Sequence, residues 1–366
     1  MSSESSLDAS PIFDSLDIDI FTKVLAQTLF GPFFLSFIPV FYVFQGAKVT
    51  SPVVVYTSIY WALVSAFWFI RWCSRLYRNQ RSFLFGPAKL DWGEQIVVIT
   101  GAGSSGVGEL LANTLAVRNV TVVVLDIKPI VNENHNITYY KCDVSKWEEV
   151  ETVSKRIIEE IGEPTILINN AGVVQGKLIL DLNPADVHQT FSVNTLAHFW
   201  TLKAFLPGMI KRKTGHIVTV SSVLGYIGTP KLTDYCASKA AVTSLTESLR
   251  YELDVKYKCP NIRTTLVTPG HIVTPLFRTF SMPDTVFSKF FFPSVQPVAL
   301  VKRIIAVLDE QDSQHISIPF YVTLCPYLQH MPSFLRDLAQ WLAHANYAMD
   351  HFTKVTGYRQ DEEKKD

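Results

Sequence analysis

The chain has 366 residues, room for one large α/β domain with extra segments, and its 33 basic and 33 acidic residues cancel. That balance excludes the broad basic field of a nucleic-acid binder and the acidic tail of a solvating arm. Five scattered cysteines (Cys73, Cys142, Cys236, Cys259, Cys325) lack paired spacing or a histidine-rich companion. They argue against a disulfide framework or a zinc site and for a reducing compartment.

Residues 1–23 form a Ser-rich, acidic tail without the positive n-region of a secretory signal. Residues 24–81 carry most of the excess hydrophobicity. From Val24 to Ile70 the only charge is Lys48, and a Gly46/Lys48/Pro52 break divides the stretch into 24–44 and 52–70. As a helix, the second piece reaches about 28 Å, close to the roughly 30 Å of a bilayer's hydrocarbon. Arg71, Arg75, Arg78 and Arg81 follow, interleaved with Trp72 and Tyr77. This is the pattern of an interface anchor on the cytosolic side. The expectation is a membrane hairpin with the remaining chain facing the cytosol, leaving the sequons at Asn119 and Asn136 unmodified. Pro32 and Pro39 keep a second form open, a kinked hairpin dipping into one leaflet.

Residues 94–320 alternate between apolar strands and helices. Strands are predicted at 96–100, 121–126, 138–142, 166–169, 216–221 and 262–267, and helices at 109–117, 147–161, 187–211 and 235–257. Short Val/Ile-rich strands separated by helices imply an α/β fold, a doubly wound parallel sheet of Rossmann type in a single domain. Residues 321–366 form an apolar and then amphipathic extension, with a helical pattern over 334–349. It is read as a cap on the substrate pocket, a membrane-surface helix, or an ordinary core helix.

The first strand runs into Gly101-Ala102-Gly103-Ser104-Ser105-Gly106-Val107-Gly108, which opens a helix. Glycines there let the backbone approach a pyrophosphate seated on the free N–H groups of the helix. Asp126 ends the next strand, where a carboxylate bonds a ribose 2′-OH and repels a 2′-phosphate. NAD(H) is therefore favoured, with NADP(H) left open because Lys128 follows. Ser222, Tyr235 and Lys239 have S-x12-Y-x3-K spacing, and the last two lie one helical turn apart on one face. A neighbouring ammonium favours the phenolate, so Tyr235 can trade a proton with an alcohol or carbonyl while Ser222 bonds the substrate oxygen.

With Asp143-Val144, Asn169-Asn170-Ala171-Gly172, Asn194 and Pro269-Gly270 followed by Thr274, the chain resembles the short-chain dehydrogenase/reductase family over about residues 94–320. The resemblance implies that Asn194 completes a catalytic tetrad, holding a water in the relay to Lys239. It also implies that Asp143 and Val144 border the adenine and that Asn170 lies along the ribose. Ala171, Gly172, Pro269 and Gly270 belong to the same cofactor wall, and Ile272 and Thr274 meet the nicotinamide amide. Tyr235 and Lys239 touch the cofactor as well. The glycine loop departs from the family spacing by one residue, Ser104 or Ser105, so which glycines meet the pyrophosphate is left open.

The stretches 193–200, 203–207 and 215–220 are similar to the retinol and hydroxysteroid dehydrogenase branch, whose members are anchored on endoplasmic reticulum or lipid droplets. A lipophilic alcohol or ketone is the implied substrate: a retinoid, a steroid or a long-chain fatty alcohol. The competing reading is an inert cofactor-binding scaffold on the same membranes. A homodimer is left open.

Overall fold

The computed structural model describes residues 16–81, 86–87, 89–103, 106–130, 134–277, 280, 283, 285–350 and 352. Two compact units emerge, residues 1–70 with 284–293 and residues 71–283 with 294–366.

The first unit holds α1 (Ile18–Gln27), α2 (Pro32–Phe44), most of α3 (Pro52–Arg78) and a short helix over Val286–Phe291, α9 in chain order. Asp17 caps α1 by accepting the Ile20 N–H at 2.9 Å. The apolar stretch read as one segment over 24–44 is broken, with α1 and α2 bent by 48°. Gly31 sits in the bend, where a Cβ would lie 2.3 Å from the Gln27 carbonyl oxygen, and Pro32 then starts α2. The break strands carbonyls that no helix satisfies. Aromatic donors on α3 take two of them, Tyr60 Oη bonding Leu29 O at 2.8 Å and Trp68 Nε1 bonding Phe30 O at 2.7 Å, and Trp61 Nε1 adds a bond to Pro32 O in the first turn of α2 at 3.0 Å. At 1.5 Å per residue α2 alone is only about 20 Å long, whereas α3 is about 40 Å. α3 is long and apolar enough to cross a membrane, and only 11% of its apolar window is covered by protein.

The second unit is the Rossmann-type domain. Its strands are β1 (Ile96–Thr100), β2 (Thr121–Asp126), β3 (Ile137–Lys141), β4 (Ile166–Asn169), β5 (Gly215–Val220), β6 (Ile262–Pro269) and β7 (Gln314–Ile318). All pair in parallel in the order β3-β2-β1-β4-β5-β6-β7. Strand order reverses beside β1, which opens a crevice at the strands' carboxyl ends.

One face of the sheet packs on α4 (Val107–Val117) and α10 (Pro297–Glu310), around Leu111, Leu115, Ile304 and Leu308. The other packs on α5 (Trp147–Glu160), α7 (Ala197–Arg212) and α8 (Thr233–Tyr251), around Ile157, Phe205, Met209 and Leu253. β7 was not foreseen. It is an edge strand whose alternation is masked by polar residues that bond sideways, such as His315 Nε2 to Thr268 Oγ1 at 2.8 Å. The long helix expected over 187–211 is also divided, into α6 (Pro184–Phe191), a π-helical stretch at Ser192–Leu196, and α7.

Beyond the sheet lie α11 (Cys325–Leu328) and α12 (Ser333–Leu342). The amphipathic helix expected to Met349 stops at Leu342 and His344 turns left-handed, after which Ala348 and Met349 fold back into the interior.

The last turns of α3 are locked onto this unit. Asn79 is fully buried, its Oδ1 accepting Ser313 N–H at 2.6 Å and its carbonyl accepting Arg263 Nη1 at 2.8 Å. The fully buried Asp312 receives Arg75 and Arg81.

Candidate active site

The carboxyl end of β1 delivers Gly101 with φ +72°, and a Cβ there would come within 2.6 Å of Ala171 Cα. At Gly108 a Cβ would lie 2.4 Å from the Gly101 oxygen, and at Gly103 only 2.0 Å from the Lys128 oxygen. Backbone thus closes on backbone in a cradle that side chains would fill. Gly106, in extended conformation, leads into α4 at Val107 without a side-chain cap, and among the described residues nothing takes up the first N–H groups of that helix. Ser104 and Ser105 lie outside the described residues.

Asp126 ends β2, as expected, but its carboxylate also organises the loop. Its two oxygens accept Gly103 N–H at 2.8 Å and Lys128 N–H at 2.9 Å. Asn170 likewise faces inward: its Nδ2 donates to Thr100 O at 3.1 Å and Gly101 O at 2.9 Å. Thr100 Oγ1 accepts the N–H groups of Asn170 at 3.0 Å and Ala171 at 3.1 Å. Thr100 opens the glycine loop in the sequence, but its spacing alone assigns it no bonding role. Its position as the last residue of β1 is the signal available for it.

Farther along the crevice, Asp143 Oδ1 accepts the hydroxyl of Ser145 at 2.7 Å, and Val144 is buried beside it. On the other flank, Pro269 closes β6. Gly270 leaves space for the Tyr321 hydroxyl, Ile272 bridges to Val295, and the Thr274 carbonyl accepts Phe277 N–H at 3.1 Å. The cradle, the open helix end and the carboxylate at β2 together fit a dinucleotide.

The four catalytic candidates converge from three elements. Ser222 follows β5, Tyr235 and Lys239 lie in the first turns of α8, and Asn194 sits in the π-helical stretch. All four are buried. Asn194 is held from both ends of its amide: Oδ1 accepts Val173 N–H at 2.8 Å, while Nδ2 donates to Val173 O at 3.0 Å and Ser238 Oγ at 3.1 Å. Such a local widening of a helix commonly marks a functional position. Lys239 Nζ donates to Val220 O at 2.9 Å and stands 5.7 Å from the centre of the Tyr235 ring. Gly172 closes the group, since a Cβ there would lie 3.5 Å from Asn194 Oδ1 and 3.7 Å from Lys239 Nζ.

Burial dominates the electrostatics. It pulls the Lys239 ammonium down to about 8. It holds His198, one turn along from Asn194, down at about 3, with the Lys239 charge adding to the effect. Burial also pushes the Tyr235 phenol above its ordinary value, with the Ser222 hydrogen bond pulling partly back. The lowering expected from Lys239 does not appear here: desolvation by the apolar groups that wall the phenol dominates, and the opposing pull comes from Ser222.

That wall comprises Val174, Leu232 and Met349, with Leu224, Phe277, Phe280 and Phe352 against them. Phe277 meets the Tyr235 ring edge-on at 6.1 Å. Met349 and Phe352 come from the far end of the chain, and local spacing could not have linked them to Tyr235.

A parallel doubly wound sheet, a glycine cradle at its switch point and a buried Ser/Tyr/Lys/Asn group define a nicotinamide-dependent oxidoreductase of the short-chain class. The family model described as short chain dehydrogenase matches residues 95–284, and the chain belongs to that family. It is an NAD(P)-dependent alcohol dehydrogenase/reductase acting on a small-molecule substrate.

Among similar proteins is retinol dehydrogenase 10 of Homo sapiens, 34% identical over 70% of this chain and 82% of that protein. Epidermal retinol dehydrogenase 2 of Mus musculus is 41% identical over 62% of this chain and 74% of that protein. A solved 4-hydroxyisoleucine dehydrogenase in complex with NADH superposes with TM-score 0.51 and 26% identity, over 62% of this chain and 96% of that one. A Streptomyces avermitilis short-chain dehydrogenase gives TM-score 0.56 at 21% identity, over 69% and 97%, and shares the fold.

Proposed function

We propose that this chain is a membrane-anchored dehydrogenase/reductase of lipophilic alcohols and their carbonyls, with Tyr235 as the general acid/base. The carrying observation is the convergence of Ser222, Tyr235, Lys239 and Asn194 behind a wall built almost wholly of apolar side chains. Retinoids, steroids and long-chain fatty alcohols are the substrate classes such a wall suits, and two similar proteins bear the name retinol dehydrogenase.

Gly101, Gly103, Gly106 and Gly108 with the N-terminus of α4 hold the pyrophosphate, and Asp126 faces the adenosine ribose, favouring NAD(H) over NADP(H). Bound there, the nicotinamide supplies the hydride acceptor for oxidation and the donor for reduction. Ser222 bonds the substrate oxygen, and Tyr235 takes or returns its proton. Lys239, brought near neutrality by burial, is able to exchange that proton at working pH. Asn194, fixed by Val173 and Ser238, is the polar group behind the pair.

The exposed apolar length of α3 and the arginines at its end support an anchor in endoplasmic reticulum or lipid-droplet membrane, with the catalytic domain cytosolic. Two measurements test the reading. Detergent-solubilised enzyme is assayed with NAD(H) and NADP(H) on a panel of retinoid, steroid and long-chain alcohols and their carbonyls. Tyr235→Phe lowers kcat/KM by about 10²–10⁴-fold, the usual worth of general acid–base catalysis. Undiminished turnover in that variant refutes the assignment of Tyr235. Carbonate extraction checks the anchor, since release of the full-length chain into the soluble fraction contradicts it.

A further inference from the structure

α12 leaves its apolar stripe uncovered. Amphipathic helices ordinarily turn their apolar stripe to the core. Here Gln340 is the polar residue that leans on the protein, and with the half-exposed Arg336 and the largely exposed Asp337 it edges an open cavity of about 340 Å³ beside Tyr226, Ile227 and Gly228. Gln340 Nε2 donates to Gly228 O at 3.4 Å, and Gln329 ahead of the helix donates to Tyr226 O at 2.8 Å. The apolar stripe of Phe334, Leu335, Leu338, Trp341 and Leu342 faces outward, with Phe334 69% and Trp341 61% exposed. Tyr327 and Met331 extend it backwards, both exposed.

The same segment roofs the catalytic pocket. Lys231 Nζ donates to Met349 O at 3.1 Å and Asp350 O at 3.0 Å, tying the fold-back to the loop ahead of Tyr235. Phe352 lies on Gly176, where a Cβ would be 2.1 Å from its ring. The loop leaving Gly176 continues into Leu178, Ile179 and Leu180, all exposed, Leu180 to 94%.

Resting on the proposed function, we infer that α12 is a membrane-docking helix and that substrate enters the Tyr235 pocket from the lipid surface beneath it. The occupant of the stripe is a zwitterionic bilayer. The chain carries its own apolar helix of 27 residues, which on the proposed function holds the chain at a bilayer. The outward stripe is uncharged and aromatic near both ends, suited to lying flat at the headgroup boundary. An apolar patch joined to an apolar-walled site gives a lipophilic substrate a route that avoids water.

The test uses the full chain reconstituted into phosphatidylcholine vesicles, with a genetically encoded environment-sensitive fluorophore at Leu338 or, on the inward face, at Gln340. Nitroxide-labelled lipid is expected to quench position 338 several-fold more than position 340. Equal lipid quenching at both, or ready quenching of position 338 by aqueous iodide, overturns the docking. A shielded position 338 that ignores nitroxide lipid and persists in detergent assigns the stripe to a second copy of the chain and also overturns it. For the route, Leu338→Glu with Trp341→Glu raises KM at least tenfold for a long-chain alcohol presented in vesicles. The same variant leaves kcat/KM for a short water-soluble alcohol unchanged. An unchanged KM in vesicles sinks the route. The quenching needs no turnover, so failure of the proposed chemistry is distinguishable from failure of the docking.

Discussion

Replacing Asp312 by alanine tests whether the end of α3 is fastened by charge. Asp312 is wholly buried and faces two guanidiniums, Arg75 half exposed and Arg81 nearly covered. Breaking a buried ion pair by deleting one partner costs about 3–5 kcal/mol, because the other charge stays behind in poor solvent. Two features place this site at the low end. Arg75 recovers hydration, and Arg81 keeps its bonds to Glu310 O at 2.7 Å and Gln311 O at 2.8 Å. Arg81 also meets the carboxylate at 2.8 Å as a charge contact rather than an aligned hydrogen bond.

The expected loss is therefore about 3 kcal/mol, or a fall of roughly 4–5 °C in the unfolding midpoint of a chain of this size. Thermal unfolding in one detergent, followed by intrinsic fluorescence, measures it. Glu310→Gln is the control, since its pair with Arg75 is solvent-exposed on both sides and worth under about 1 kcal/mol. If Asp312→Ala shifts the midpoint no more than Glu310→Gln, the buried-clamp argument is wrong. Asp312→Leu with Arg81→Met, which removes the two covered charges and leaves only the half-exposed Arg75, should restore part of the loss.

Other expectations follow from the crevice and the core. Gly108→Ala forces a Cβ against the Gly101 oxygen and the Asn170 amide, so calorimetric titration should show NADH affinity reduced at least tenfold, with about 1–3 kcal/mol of destabilisation. Asp126→Asn keeps an acceptor for Gly103 N–H while removing the charge. The kcat/KM ratio for NADPH over NADH should rise about tenfold or more, and an unmoved ratio would detach Asp126 from cofactor choice. His216 is held near 3 by burial, with Arg263 adding repulsion, against 6.5 in the unfolded chain. Between those values the unfolded chain binds the extra proton. Stability is then lost as pH falls from about 6.5 towards 3, by up to about 1.4 kcal/mol per pH unit from this group. Denaturant titrations across that range should show a shallower slope in His216→Gln.

What could be read from the residues alone follows the range of the forces involved. Strands β1, β2 and β4 are covered on both faces, so unbroken Val/Ile runs marked their ends to the residue. Tyr235 and Lys239 share a helix face, and four-residue spacing carries that directly. Ser238 meeting Asn194, by contrast, joins positions 44 residues apart. Only the packing of α8 on the π-helical stretch brings them together, and no proline or glycine within Ser192–Leu196 announces that stretch. β7 was hidden by the mixed polarity of a sheet edge. The fold-back of Met349 and Phe352 is decided by contacts with Leu232, Val174 and Gly176, so a helical pattern over 334–349 overran the actual helix.

The knot of hydrogen bonds among Thr100, Gly101, Asn170 and Ala171 staples the two halves of the sheet at the mouth where the dinucleotide enters. Those bonds run between groups of the chain itself, so the ligand's binding energy is not needed to make them. Such a mouth should look rigid without ligand: the amides of Asn170 and Ala171 exchange with solvent about as slowly before NADH is added as after, while those opening α4 are slowed on binding.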